Sequence, residues 1–211
     1  LHRASGEPVE DCLTYLQQFL LRAYAATDAA DKPLFAFKLH QFIAGGGKVY
    51  TTLESLGARA ITLDGQQFVA GDADRHRRYF HTHFCRDCGQ EYLPVWDNQT
   101  NEGRTFGVRS IDERQHDDEQ VKFGFLLPDG GSWDADDPER YPDGWLEERA
   151  DGEWRVRADR RKFVPQRVRV RPDGAVANDA GITAWYIPGA FRFCLVCGVA
   201  HSTSGKDALR L

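Results

Sequence analysis

Two short phrases hold the residues best suited to chemistry: Phe84-Cys85-Arg86-Asp87-Cys88-Gly89 and Phe193-Cys194-Leu195-Val196-Cys197-Gly198. Each reads Phe-Cys-x-x-Cys-Gly, and together they use four of the five cysteines. A Cys-x-x-Cys turn sets two thiolates on one side of a tight loop. The glycine after it lets the backbone pass beneath a metal, with N–H groups free to point at the sulfurs. Two such knuckles meeting face to face make a tetrahedral four-thiolate site, most often filled by zinc. Four sulfurs leave no open coordination position, so a zinc held by Cys85, Cys88, Cys194 and Cys197 would be structural rather than catalytic.

Other readings of the same residues differ in context. Iron in a rubredoxin-like site uses the same four ligands and stays open. A disulfide framework suits a small secreted scaffold richer in cysteine. A thioredoxin-like dithiol needs one Cys-x-x-Cys ahead of a helix, not two ahead of Gly and strands. His81, His83 and His201 stand near the knuckles, but a complete cysteine set makes them strand-face or solvent residues. Cys12 falls on the apolar stripe of a helix and reads as a small buried side chain.

The elements that must position the knuckles are mostly strands. Tyr79–Phe84 leads into the first knuckle and Glu91–Trp96 leads out, the layout of a zinc ribbon; Thr183–Phe193 leads into the second. Val121–Leu127 and Phe163–Arg171 read as further strands, the latter closed by Pro172-Asp173-Gly174. Ahead of them, Lys48–Glu54 and Arg59–Leu63 are β-like, with Asp64-Gly65 as a two-residue hairpin turn into Gln66–Ala70. The chain starts differently. Val9, Cys12, Leu13, Leu16, Phe19, Leu20 and Ala23 recur at helical spacing from about Pro8 to Ala26, with Pro8 suited to a first turn. Leu34–Ile43 fits either a helix or a strand. The fold class is therefore α+β: an N-terminal helical segment over 1–32, then a β-rich, zinc-ribbon-like module over 33–211. That module carries a long insertion, about 97–182, between the knuckles. Such a loop is tolerable because closure entropy grows slowly with length.

Composition narrows the class. At 211 residues the chain can bury one good core or two small ones. A net charge of −5 does not describe a protein that generally coats nucleic acid. No membrane-spanning run and no signal-peptide pattern is present, which points to a cytoplasmic protein. The chain lacks methionine and opens on Leu1-His2-Arg3, as an excised piece of a larger parent would. Gly45-Gly46-Gly47-Lys48-Val49 is not a phosphate loop, which needs Gly-x-x-x-x-Gly-Lys-Ser/Thr. No Mg²⁺-binding acidic box and no nucleophile with its base appears, so no residue is assigned a catalytic role.

The insertion is uneven. Asp112–Glu119 and Asp129–Asp151 are acidic, with Trp133, Trp145 and Trp154 in or just beyond them. Arg155, Arg157, Arg160, Arg161, Lys162, Arg167, Arg169 and Arg171 form a basic run. In a strand, Arg167, Arg169 and Arg171 share one face while Val168 and Val170 share the other. Such a stripe can grip phosphates. An edge strand guarded by charge, or pairing with the acidic stretch, gives the same pattern. Arg75-His76-Arg77-Arg78 is a weaker second cluster.

Lys38–Glu54, with its His-Gln-Phe-Ile and Val-Tyr steps, together with Phe84–Tyr92, resembles a segment of large bacterial superfamily 2 DEAD/DEAH-box helicases. The likeness covers roughly 34–96 and 190–200. It implies a parent that couples ATP hydrolysis, with its Mg²⁺, to movement on nucleic acid. It also implies RecA-like domains of that parent as neighbours, with the ATP site outside these residues. Only the four cysteines carry over, as metal ligands. Two functions are expected from this: a zinc-stapled accessory module with nucleic acid as a candidate partner, or a protein-interaction module docking a partner subunit through its tryptophans.

Overall fold

The computed structural model describes residues 2–27, 48–129, 133–201 and 209–210. The Gly-rich turn, the ambiguous Leu34–Ile43 stretch and most of the Lys38–Glu54 segment lie outside them. The chain separates into two units, Leu1–Ala44 and Gly45–Leu211. No helix among the described residues is long and apolar enough to cross a membrane.

The first unit holds a short helix α1 (His2–Ser5) and α2 (Val9–Ala25). Pro8 stands just ahead of α2, where a missing N–H costs nothing, and Glu10 and Asp11 in the first turn favour the positive end of the helix dipole. The helix forms where its periodicity predicts. Its stripe is not a core, however: Leu13 and Phe19 are exposed and only Ala23 is buried. Cys12 is likewise half-exposed beside Ser5 and Glu7, not the buried apolar residue expected. Periodicity reports which residues share a face, and says nothing of what covers it.

The second unit is built on β1 (Val49–Thr52), β2 (Ile61–Thr62), β3 (Tyr79–Cys85), β4 (Glu91–Thr100), β5 (Gly103–Val108) and β6 (Lys122–Pro128). After these come β7 (Leu146–Glu148), β8 (Trp154–Val156), β9 (Gln166–Val170), β10 (Ile182–Pro188) and β11 (Leu209–Arg210). The α+β class stands. Nine strands share one sheet in the order β2-β1-β3-β4-β6-β10-β9, with β5 also on β4 and β11 on β3; β7 and β8 pair separately. The residues between the knuckles are thus not an appendage, since β5, β6 and β9 are strands of the same sheet as the knuckle-bearing β3.

Central strands are covered on both faces, which is why they read as near-continuous apolar runs. Alternate residues go to opposite sides. Tyr92, Phe125, Leu127, Trp185 and Ile187 face one core, which also contains Cys85, Cys194, Trp133, Tyr141 and Trp145. Leu93, Leu126, Ala184 and Tyr186 face the other, with Phe80, Phe106 and Val170. Trp133 and Trp145 are therefore core residues packed against Phe193, not surface anchors; Trp154 is the exposed one.

Two local readings change. Gln66–Ala70 is not a strand. β2 instead turns back onto β1, Tyr50 opposite Thr62, and Phe68 makes only a single bridge to Arg78. Asp64-Gly65 had the residues of a hairpin turn, but among the described residues the chain after it leaves the outer edge of β2 unpaired and turns to the start of β3, the Tyr79 N–H bonding the Gln67 carbonyl at 2.9 Å. β5 went unrecognised because Arg104, Thr105 and Gly107 dilute its apolar pattern. It pairs with β4 in six-residue register, from Val95↔Val108 to Thr100↔Gly103. The turn at Pro172-Asp173-Gly174 forms as expected. Gly174 has φ +90°, a conformation L side chains resist, and its carbonyl accepts the Phe106 N–H at 2.8 Å.

Candidate metal centre

β3 and β4 form a hairpin, His83 opposite Tyr92 and Phe84 opposite Glu91, and the first knuckle is its tip. The second knuckle follows β10. The two tips are built alike. In the first, the Cys85 N–H bonds the Gln90 carbonyl at 2.8 Å and the Gly89 N–H bonds the Cys85 carbonyl at 2.9 Å. In the second, Cys194 N–H bonds Val199 O at 3.0 Å and Gly198 N–H bonds Cys194 O at 2.9 Å. Gly89 and Gly198 have φ of 75° and 73°, the left-handed turn that passes the backbone under the sulfurs. Repeating the same six-residue phrase repeats the same backbone path.

All four sulfurs lie within 4.8 Å of one another. Cys85 Sγ is 3.9 Å from Cys197 Sγ, and Cys88 Sγ is 3.6 Å from Cys194 Sγ. Those separations are too long for a disulfide, and the cysteines are free. They do match the sulfur–sulfur edge of about 3.8 Å that a tetrahedron with Zn–S near 2.3 Å requires. The donor set therefore fits a thiophilic, tetrahedral ion. Cys85 and Cys194 sit in the core, and Cys88 and Cys197 at the surface.

The thiols are not equivalent. Burial pushes Cys85 up, and pushes Cys197 up to about 12. Burial acts on Cys194 too, but the N–H groups of Cys197 and Val196 and the Tyr92 hydroxyl outweigh it, so Cys194 falls below the usual thiol range. The Asp87 and Cys88 N–H groups point in the same way at Cys85. Tyr92 is the residue sequence reasoning missed. Its hydroxyl lies 3.1 Å from Cys194 Sγ and accepts the Leu195 N–H at 2.9 Å. Burial drives its own ionisation well above the ordinary phenol range.

The histidines do not enter the thiolate set. His83 is buried on β3, with its pKa lowered to about 4 by desolvation. His201 lies 3.8 Å from Asp87 at the rim; with Cys85 they make a grouping that shares a ligand with the four-cysteine site and so is not separate from it.

The basic run lies elsewhere on the unit. β9 is the last strand in the sheet order, with Val168 and Val170 buried and Arg167 and Arg169 exposed. Arg169 donates to the Gly181 carbonyl at 3.2 Å. Several members pair locally: Arg155 with Glu147 at 2.9 Å, Arg157 and Arg160 with Asp159 at 3.5 and 3.3 Å, and Arg171 with Asp173 at 3.5 Å. Arg161 and Lys162 are exposed on a single 3₁₀ turn, Lys162 over the Phe163 ring. The four cysteines are brought together; the eight cations are spread over β8, the turn and the sheet edge.

Comparison with family models, with characterised proteins and with solved structures finds no match.

Proposed function

We propose that this chain is a structural zinc-binding accessory module of a nucleic-acid-dependent ATPase of the helicase type. The convergence of Cys85, Cys88, Cys194 and Cys197 within 4.8 Å carries the zinc part of the reading. The helicase part rests on the likeness of Lys38–Glu54 and Phe84–Tyr92 to such enzymes. In this role zinc does no chemistry. It ties the tip of the β3–β4 hairpin to the end of β10, and so holds β4, β6 and β10 in register. ATP and Mg²⁺ belong to the parent's RecA-like domains, and contact with the nucleic-acid backbone falls to exposed cations of this unit. Elemental analysis of the purified chain tests the first part: one zinc per chain supports it, and reduced thiols without metal overturn it. Binding of a labelled single strand that weakens as salt rises supports the second. No binding at low salt overturns it.

A second reading, a module that docks a protein partner, draws on α2. Val9, Leu13, Leu16, Phe19 and Leu20 are exposed there on one face, an arrangement suited to laying a helix in an apolar groove. Replacing Leu13 and Phe19 by Glu abolishes association with the RecA-like domains under this reading, and leaves it intact otherwise.

A further inference from the structure

A cleft of about 660 Å³, lined by none of the four cysteines, opens on the second unit between β1, the 65–67 turn, the start of β3 and the end of β5. The volume lies within the usual range for small-ligand sites. Arg78 and Lys48 line it and make no ion pair among the described residues, whereas four of the eight Arg155–Arg171 cations are paired with carboxylates. Arg78 is held in place: its N–H bonds the Pro172 carbonyl at 3.2 Å, and its guanidinium lies 5.3 Å above the Phe68 ring. Beside these cations the half-buried rings of Tyr50 and His81 pack at 4.8 Å. Desolvation and the charge of Lys48 lower the His81 pKa, which keeps this ring neutral near pH 7. One carboxylate, Glu113, also lines the cleft and accepts the Ser110 N–H at 3.1 Å. Exposed Gln66 adds a carboxamide. Two cations without an ion pair against one carboxylate, an aromatic pair and a few hydrogen-bonding groups are the combination that single-stranded nucleic-acid sites use.

We propose that this cleft binds a nucleotide unit, with Arg78 and Lys48 on the phosphate and Tyr50 and His81 against the base. Glu113 and Gln66 face the base's polar edge. The unit arrives as part of a single strand or as a free mononucleotide. The strand form rests on the nucleic-acid reading above and moves its contact surface from β9 to this cleft.

Gly65 offers a clean test. A Cβ added there meets the Tyr50 hydroxyl at 3.7 Å, an ordinary contact at an ordinary backbone angle, so Gly65→Trp introduces an indole at the cleft wall. The purified chain, Gly65→Trp, Arg78→Glu and Arg167→Glu are titrated against fluorescein-labelled 15-nucleotide DNA and RNA strands and against mant-AMP, with melting curves as a folding check. Gly65→Trp and Arg78→Glu are expected to weaken strand binding about tenfold or more, and Arg78→Glu to lower the salt slope by about one. Arg167→Glu leaves binding nearly unchanged. Strand binding that survives both cleft variants overturns the cleft and spares the nucleic-acid function. Absent strand binding, with mant-AMP binding that Gly65→Trp abolishes, overturns that function and keeps the cleft as a mononucleotide site. Binding of neither probe overturns both.

Discussion

Tyr92 and Cys194 meet across the two knuckles: the phenol at the start of β4 lies 3.1 Å from a sulfur 102 residues further along the chain, and accepts the N–H of the residue after it. Metal-bound sulfur is a thiolate and has no proton to give, so in the loaded site the phenol donates. Tyr92→Phe removes that donor and strands the buried Leu195 N–H. The expected cost is about 1–3 kcal/mol of stability, with metal stoichiometry kept and affinity down about 10–100-fold, as for other outer-shell ligand partners. Thermal melting and competition with a chelator read the two effects separately.

Removing a ligand acts more strongly. Cys85→Ser and Cys194→Ser each delete a buried sulfur of a closed site, where metal-binding energy is also folding energy. Both variants are expected to lose the metal and to melt far below the parent, and excess chelator should lower the parent's midpoint towards theirs. A double variant that melts as the parent does would refute the metal staple.

The turn after β1 is fixed by charge. Glu54 accepts from Arg77 in a forked pair at 2.7–3.1 Å and from Thr52 at 2.6 Å. Burial raises the Glu54 pKa, but these bonds and the Arg77 charge outweigh it, and the pKa is lowered overall. A carboxylate depressed in the folded state contributes stability above its unfolded pKa and loses it as pH falls through the folded value. Glu54→Gln should therefore be less stable than the parent at pH 7, with the gap closing below about pH 4.5. Paired denaturant titrations across that range check the sign, since acid release of the metal affects both proteins.

Arg109 is 1% exposed and makes no ion pair with a carboxylate among the described residues. It donates instead to the carbonyls of Ser110, Ile111, Glu113 and Gly124 at 2.6–3.3 Å, and lies over the rings of Trp96, Phe123 and Phe125. Burial lowers its pKa to about 10. Arg109→Leu takes a donor from the buried Gly124 carbonyl and from three part-buried ones, so a loss of about 1–3 kcal/mol is expected. Urea unfolding at pH 7 measures it; a change below about 0.5 kcal/mol would show those carbonyls are served otherwise.

The four-cysteine cluster was legible because the chemistry is local: Phe-Cys-x-x-Cys-Gly specifies its own turn, and repeating it announces a partner. The α+β class and most strands followed from alternation and apolar runs for the same reason. What stayed hidden is non-local. Nothing near Tyr92 reveals that its hydroxyl serves a sulfur beyond the insertion. Nothing near Arg109 distinguishes it from surface arginines of the same stretch. Trp133 and Trp145 sit among acidic residues, as partner anchors would, yet their rings close over Phe193, a packing that only the full sheet order creates. Gln66–Ala70 turns to the start of β3, through Gln67 to Tyr79 and Phe68 to Arg78, a partner that Asp64-Gly65 does not announce.

The separation of the two tips along the chain sets the order of events at birth. Cys88 and Cys194 are 106 residues apart. At about 5–20 residues per second, the first pair of thiols leaves the ribosome several seconds before the second exists. During that interval β3 and β4 can pair, but β6, β9 and β10 arrive only with the rest of the chain. A metal captured early is held by two sulfurs alone. Completion of the site is therefore a late checkpoint on synthesis: any chain cut short before Cys194 keeps an open dithiol, chemically distinct from the finished product and open to oxidation.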